Sequence, residues 1–272
     1  MQDKAIGIFD SGVGGLTVVR EIIDSLPHEN LIYLGDTARV PYGSRSKDKI
    51  ISFSLELTDF LVKKNIKMII VACNTISAIA IEAIRSKCDI PVIEVINPTV
   101  KLALSTSINK KIGVIGTEAT IDSNIYRKSI HDLFPTATVF SKACPMLVPL
   151  IEEGLLNHPS TGELVKEYLN TFKDTNIDTL ILGCTHYPLI KNQIQDQATS
   201  QIRILDSALP TALEVKKILE EKGLLNSNNS LGEHEYFVTD NPIRAKKLRR
   251  SFMEEKSMRN SKRLIYPKSQ SV

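Results

Sequence analysis

One series of apolar runs occurs twice along this chain, in the same order and at nearly constant spacing. Ala5-Ile6-Gly7-Ile8-Phe9 is answered by Lys111-Ile112-Gly113-Val114-Ile115 at a shift of 106, and Leu31-Ile32-Tyr33-Leu34 by Thr138-Val139-Phe140 at a similar one. Met68 to Thr75 is answered by Thr179 to His186, and Pro91-Val92-Ile93-Glu94-Val95 by Ile202-Arg203-Ile204-Leu205-Asp206, both at a shift of 111. A short, continuous apolar run is what a strand buried on both faces requires. One such match is commonplace, but four in order constrain the chain to two similar α/β lobes. Amphipathic stretches lie between the runs, at Leu16 to Leu26, Ile50 to Val62, Ile76 to Ile84, Ser123 to Phe134 and Glu163 to Phe172. Crossovers of that length predict parallel sheets flanked by helices.

The expected fold class is therefore α/β, with two similar doubly wound lobes, each a mostly parallel sheet between helices, and the active site in the cleft between them. Pro98 and Pro210 stand near the places where the pattern passes from one lobe to the other. The predicted division assigns residues 1–97 plus 208–272 to the first lobe and 98–207 to the second. The segment from Thr211 onward has no counterpart after the first copy, and it is expected to pack back on the first lobe. Gly223 to His234, rich in asparagine and serine, predicts a surface loop. The stretch from Glu255 has few apolar residues and is expected to fray.

Composition removes several function classes. The 272 residues, 42% of them apolar, suffice for two ordinary cores. A net charge of +3 is too small to imply a nucleic-acid partner, and no apolar run is long enough for a membrane-spanning helix. Cys73, Cys88, Cys144 and Cys184 show no Cys-x-x-Cys spacing, and no apolar leader opens the chain. The expectation is a reduced, cytoplasmic protein. Histidines 28, 131, 158 and 234 lack metal-ligand spacing, so no metal is expected. Oligomeric state is left open, a homodimer included.

Each copy of the third run ends in a cysteine, Cys73-Asn74-Thr75 in one and Cys184-Thr185-His186 in the other. Open α/β sheets bind ligands at the carboxyl ends of their strands. Two thiols facing each other across a cleft would supply one proton acid and one proton base. Asn74-Thr75 and Thr185-His186 are expected to begin helices, so their amides and side chains suit a carboxylate, and the helix dipole would lower a nearby thiol pKa. His186 could orient Cys184, Asp10 could do the same for Cys73, and Glu152 in Pro149-Leu150-Ile151-Glu152-Glu153-Gly154 is an accessory candidate. Cys88 and Cys144 end no repeated strand and read as packing.

The first run leads into Asp10-Ser11-Gly12-Val13-Gly14-Gly15, where glycines would let backbone amides approach an anion, or where Asp10 or Ser11 would cap the following helix. Thr17 stands where a dinucleotide fingerprint needs glycine, and no Gly-Lys-Ser/Thr follows. Arg39-Val40-Pro41-Tyr42-Gly43-Ser44 is a turn able to present a phenol and backbone groups to a ligand.

Taken together, Phe9 to Leu16, Val40-Pro41-Tyr42-Gly43, Ala72-Cys73-Asn74-Thr75 and Gly183-Cys184-Thr185-His186-Tyr187-Pro188 resemble the glutamate racemase family, in the right order over most of the chain. Thr117-Glu118-Ala119-Thr120-Ile121 and Pro145 to Gly154 resemble family segments as well. The resemblance implies a cofactor-independent racemase, interconverting L- and D-glutamate and supplying D-glutamate for peptidoglycan. It implies Cys73 and Cys184 as the catalytic thiols, the first serving D-glutamate and the second L-glutamate. It further implies that Asp10, Ser11, Pro41, Tyr42, Gly43, Asn74, Thr75, Thr185 and His186 hold substrate, joined by Thr117 and Thr120. Two positions depart from the pattern: Ile76 replaces a small residue, and Glu94 stands where glycine is usual. The basic run from Arg244 to Arg263, nine basic residues against two acidic, reads as a solvated helix face. Alternatives are a racemase of aspartate or a related amino acid, a non-catalytic two-lobed ligand-binding protein, and a redox disulfide between Cys73 and Cys184.

Overall fold

The computed structural model describes residues 1–240, Ile243, Phe252 and the backbone of 261–265. Ten strands are described: β1 Ile6–Asp10, β2 Leu31–Gly35, β3 Met68–Val71, β4 Val92–Glu94, β5 Lys111–Gly116, β6 Thr138–Ala143, β7 Thr179–Gly183, β8 Arg203–Leu205, β9 His234–Val238 and β10 Ser261–Ile265. They form two sheets, of order β10-β9-β2-β1-β3-β4 and β6-β5-β7-β8, and every pairing is parallel. The order β2-β1-β3-β4 recurs as β6-β5-β7-β8, so the repeated runs occupy equivalent places. Register repeats too: Ile6 lies opposite Leu31 and Met68, as Ile112 lies opposite Val139 and Thr179.

Alternation along the strands decides which layer each residue feeds. Ile6, Ile8, Met68 and Ile70 face one core, which also takes Ile115, Leu180, Leu182 and Cys184 from the second sheet. Phe9, Ile69, Val71 and Cys73 face a second core, under the helix Lys47–Val62. Ile112, Val114 and Ile181 face a third, with Ile96, Val100 and Tyr126. The helix Leu16–Ser25 buries Leu16, Val18, Val19 and Ile22 in the first of these cores, each such side chain contributing about 1.5–3 kcal/mol.

Helix boundaries depart from the periodicity for local reasons. The run Ile76 to Ile84 divides into Asn74–Ile79 and Ile81–Lys87 at Ala80, although the bonds from Ala80 N to Ile76 O and from Ile84 N to Ala80 O carry on across the bend. A helix spans Pro159–Leu169, earlier than Glu163, because Pro159 suits the first turn and His158 Nδ1 accepts the Ser160 amide at 3.3 Å. Between β5 and β6, Asn124 adopts φ 56°, separating the short helix Glu118–Asp122 from Ile125–Leu133. Pro98 and Pro210 lie in the first turns of helices Ile96–Thr106 and Ala208–Glu221. Glu94 acts as a cap: its Oε1 accepts the Asn97 amide at 3.0 Å and its Oε2 the Ile96 amide.

The carboxyl-terminal part returns to the first sheet. Helix Ala208–Glu221 packs on Leu16–Ser25, and β9 extends the sheet beside β2. His234, expected in the surface loop, instead begins β9 and is buried. Fraying was the expectation from Glu255; within that stretch 261–265 is a strand beside β9, because β9 presents an unpaired parallel edge. The rest of that stretch, and most of the basic run from Arg244, lies outside the described residues. No helix among the described residues is long and apolar enough to cross a membrane.

Candidate active site

In a β2-β1-β3-β4 sheet the chain winds in opposite senses on either side of β1, and the crevice opens at the carboxyl ends there. Asp10 closes β1 and Cys73 follows β3; in the repeat, Thr117 follows β5 and Cys184 follows β7. The two crevices face each other. Ser11, Val40, Pro41, Tyr42, Gly43, Cys73, Asn74, Thr75, Thr117, Val148, Cys184, Thr185 and His186 line one cavity of about 20 Å³. That is room for about one water, which needs roughly 10–15 Å³ on the same measure.

Around Cys73 the environment is acidic and buried. Ser11 Oγ lies 3.3 Å from Cys73 Sγ. Asp10 Oδ2 accepts the Gly12 amide at 2.9 Å, and Oδ1 is buried without a hydrogen bond among the described residues. Burial raises the Asp10 carboxyl above its ordinary range, against the nearby His186 charge, the Gly15 and Gly12 amides and the Cys73 thiol. The Cys73 thiol is pushed up to about 12 by burial and then by the Asp10 charge, outweighing Ser11 and the Ile76 amide. This corrects the expectation that a helix dipole would lower it: desolvation and the Asp10 charge outweigh the Ile76 amide at the start of the helix Asn74–Ile79.

Cys184 has a different companion. His186 Nδ1 lies 3.9 Å from Cys184 Sγ, and its Nε2 lies 3.2 Å from Glu152 Oε1. Burial alone would lower this imidazole, but its bonds to Cys184 and Glu152, and their charges, raise it to about 10. The ring also meets the edge of Phe252 at 5.6 Å between centroids. Thr185-His186 does not begin an α-helix as expected. Pro188 follows at once and the chain takes a 3-10 turn over Tyr187–Ile190.

The glycine turn after β1 receives the other lobe. A Cβ on Gly14 would stand 2.5 Å from His186 Nδ1, and it would also collide with Thr185 Oγ1. Neither Asp10 nor Ser11 caps the helix that follows; Gly15 is its N-cap residue. Other contacts bridge the cleft. Thr75 Oγ1 lies 2.9 Å from Thr117 Oγ1 and 3.4 Å from Thr120 Oγ1, and the Ala119 amide donates to Gly43 O at 3.0 Å. Asn74 Oδ1 accepts the Tyr126 hydroxyl at 2.6 Å.

The Pro41-Tyr42-Gly43 turn lines the cavity, but its phenol is engaged elsewhere. Tyr42 donates to Asp36 Oδ2, which also accepts Arg39 Nε at 2.6 Å, while Asp36 Oδ1 accepts Thr239 Oγ1 at 2.7 Å. Asp36 went unnoticed in the sequence, although its place after β2 parallels that of Asp10 at the end of β1. Tyr126 and Phe252 were also missed, since no local pattern marks a residue that reaches the site from a distant helix. Cys144 is buried in the first core, its thiol donating to Lys142 O at 3.6 Å. Cys88 is half-buried and outside the cavity.

Paired α/β lobes with a thiol from each at a common cavity describe a class that the comparisons identify. The chain belongs to the Asp/Glu/hydantoin racemase family, whose model matches residues 6–214. Within that class two relatives of high identity carry one particular name. A glutamate racemase of Persephonella marina is 52% identical over 245 residues, spanning 90% of this chain and 92% of the relative. One of Neisseria meningitidis is 45% identical over 253 residues, 93% of each chain. Among solved structures, glutamate racemase from Francisella tularensis in complex with D-glutamate superposes with a TM-score of 0.91 at 39% identity, covering 98% of each chain.

Proposed function

We propose that this chain is a glutamate racemase, exchanging the α-proton of glutamate between its two faces with two cysteines and no cofactor. A thiolate on one face removes the α-proton, so that the C–H bond breaks and an S–H bond forms. The thiol on the opposite face then gives up its proton to the carbanion. By the resemblance, Cys73 serves D-glutamate and Cys184 serves L-glutamate. Asp10, with its unpaired buried oxygen, takes the proton of the Cys73 thiol, which burial otherwise keeps protonated. The His186 imidazolium does the converse work beside Cys184, held in place by Glu152. Groups of this kind typically contribute about 10²–10⁴-fold each. Donors from Ser11, Asn74, Thr75 and Thr185, with the amides of Tyr42 and Gly43 and the hydroxyls of Thr117 and Thr120, hold the two carboxylates and stabilise developing charge.

The observation that carries this reading is the convergence of Cys73 and Cys184, from equivalent strands of two repeats, on one cavity. We assign residues 1–97 with 208–272 to one lobe and 98–207 to the other. The lobes must part to admit glutamate into so small a space. The names of the relatives favour glutamate over aspartate, and the product's role is the supply of D-glutamate for peptidoglycan in the cytoplasm. The test is incubation with L-glutamate in heavy water. The wild-type protein forms D-glutamate with α-deuterium, and Cys73→Ser and Cys184→Ser each lose racemisation. Wild-type protein that incorporates no deuterium and forms no D-product refutes the proposal.

A further inference from the structure

The two ends of the Asn74 carboxamide differ in kind: the oxygen accepts and the nitrogen donates. Only the donating end suits a carboxylate. Asn74 is buried at the cavity, its Oδ1 takes the Tyr126 hydroxyl at 2.6 Å, and its Nδ2 is buried without a hydrogen bond among the described residues. Tyr126 comes from the far side of the cleft. It lies on the helix Ile125–Leu133 and packs in the core of Ile96, Val100, Ile112, Val114 and Ile181.

The reversed amide would be penalised twice. Its nitrogen would donate to the phenol oxygen, and the buried phenol proton would lose the Asn74 oxygen it now donates to, where an unmade hydrogen bond costs about 1–3 kcal/mol. Its oxygen would then face the incoming carboxylate. Burial holds the Tyr126 hydroxyl well above its ordinary value, so it remains a donor. We infer that Tyr126 is a positioning residue, whose hydroxyl fixes the Asn74 amide with Nδ2 presented to a substrate carboxylate. The inference rests on the reading of Asn74 as a substrate donor. Because the two residues come from different sheets' layers, the donor is set correctly only while those layers are in contact.

The experiment is a double-mutant cycle on kcat/KM with Tyr126→Phe, Asn74→Ala and the pair, each rate normalised to the folded fraction. Mirror-image substrates have equal free energy, so each variant's kcat/KM falls by the same factor in both directions, and one direction suffices. Asn74→Ala is expected to lose activity. Tyr126→Phe, which keeps shape and loses only the hydroxyl, is expected to fall by about three- to tenfold, the worth of one hydrogen bond. The double variant should be no worse than Asn74→Ala alone, a coupling that a merely structural tyrosine would not produce. An active Asn74→Ala overturns both this inference and the substrate-donor reading. An impaired Asn74→Ala with an unimpaired Tyr126→Phe, or with additive losses in the pair, overturns this inference alone.

Discussion

At Gly14 the glycine turn of one lobe lies against His186 of the other, and replacing it with alanine tests whether that contact sets the catalytic geometry. The positive-φ glycines are Gly154 and Gly223, so an alanine at Gly14 keeps an ordinary backbone. Its methyl group would stand 2.5 Å from His186 Nδ1 and 2.7 Å from Cε1, whereas ordinary contact begins at 3.4 Å. The imidazole must therefore retreat by about 0.9 Å, lengthening its contact with Cys184 from 3.9 Å. A misplacement of about 1 Å at reacting groups costs roughly 10²-fold, and overpacking costs about 1–3 kcal/mol of stability. Gly7→Ala is the control: its methyl group would stand 2.6 Å from Ile66 Cδ1, away from the cavity, giving comparable crowding without touching His186. Racemisation is followed by polarimetry and stability by thermal unfolding. Both variants should lower Tm by several degrees, and only Gly14→Ala should lower kcat/KM, by about 10²-fold. Wild-type kcat/KM in Gly14→Ala, or equal losses in the two variants, refutes the reasoning.

Two further outcomes follow from charge. Glu152→Gln removes one of the partners that raise His186 to about 10, so imidazole titration by NMR should move to lower pH. A raised imidazole stabilises the fold fully below its unfolded value of about 6.5 and loses that stabilisation as pH rises through the folded value. The variant should therefore lose less stability than wild type between pH about 6.5 and 10, and an unmoved titration would count against the Glu152 contact. At the other end of the first sheet, Lys67 Nζ pairs with Glu29 Oε2 at 2.5 Å, both buried, and also donates to Leu224 O at 2.8 Å. Lys67→Met should cost about 3–5 kcal/mol in denaturant titration by leaving a carboxylate buried, and adding Glu29→Leu should recover much of it. A Lys67→Met variant as stable as wild type contradicts that picture.

The repeat was legible because parallel strands buried on both faces leave unbroken apolar runs, and runs such as Met68 to Val71 and Thr179 to Leu182 need no partner to be seen. The same logic placed Cys73 and Cys184 at strand ends. What escaped notice depends on partners distant in sequence. Burial and the Asp10 carboxylate, not the helix after Cys73, set that thiol's protonation, and neither is visible from the local motif. Tyr42 looked available to a ligand, yet its hydroxyl turns to Asp36. The addition of β9 beside β2 could not be read from the repeat, since the second sheet has no equivalent strand.

The core that takes Ile6, Ile8, Met68 and Ile70 from one sheet and Leu180, Leu182 and Cys184 from the other joins the two sheets as a common spine. Pages bound to one spine turn but do not separate. Any parting of the lobes that admits an amino acid must then give way first at a polar contact such as that of Gly43 with Ala119, because the shared apolar core costs more to open. Cys184 belongs to that shared core, so its sulfur is anchored among residues of both sheets.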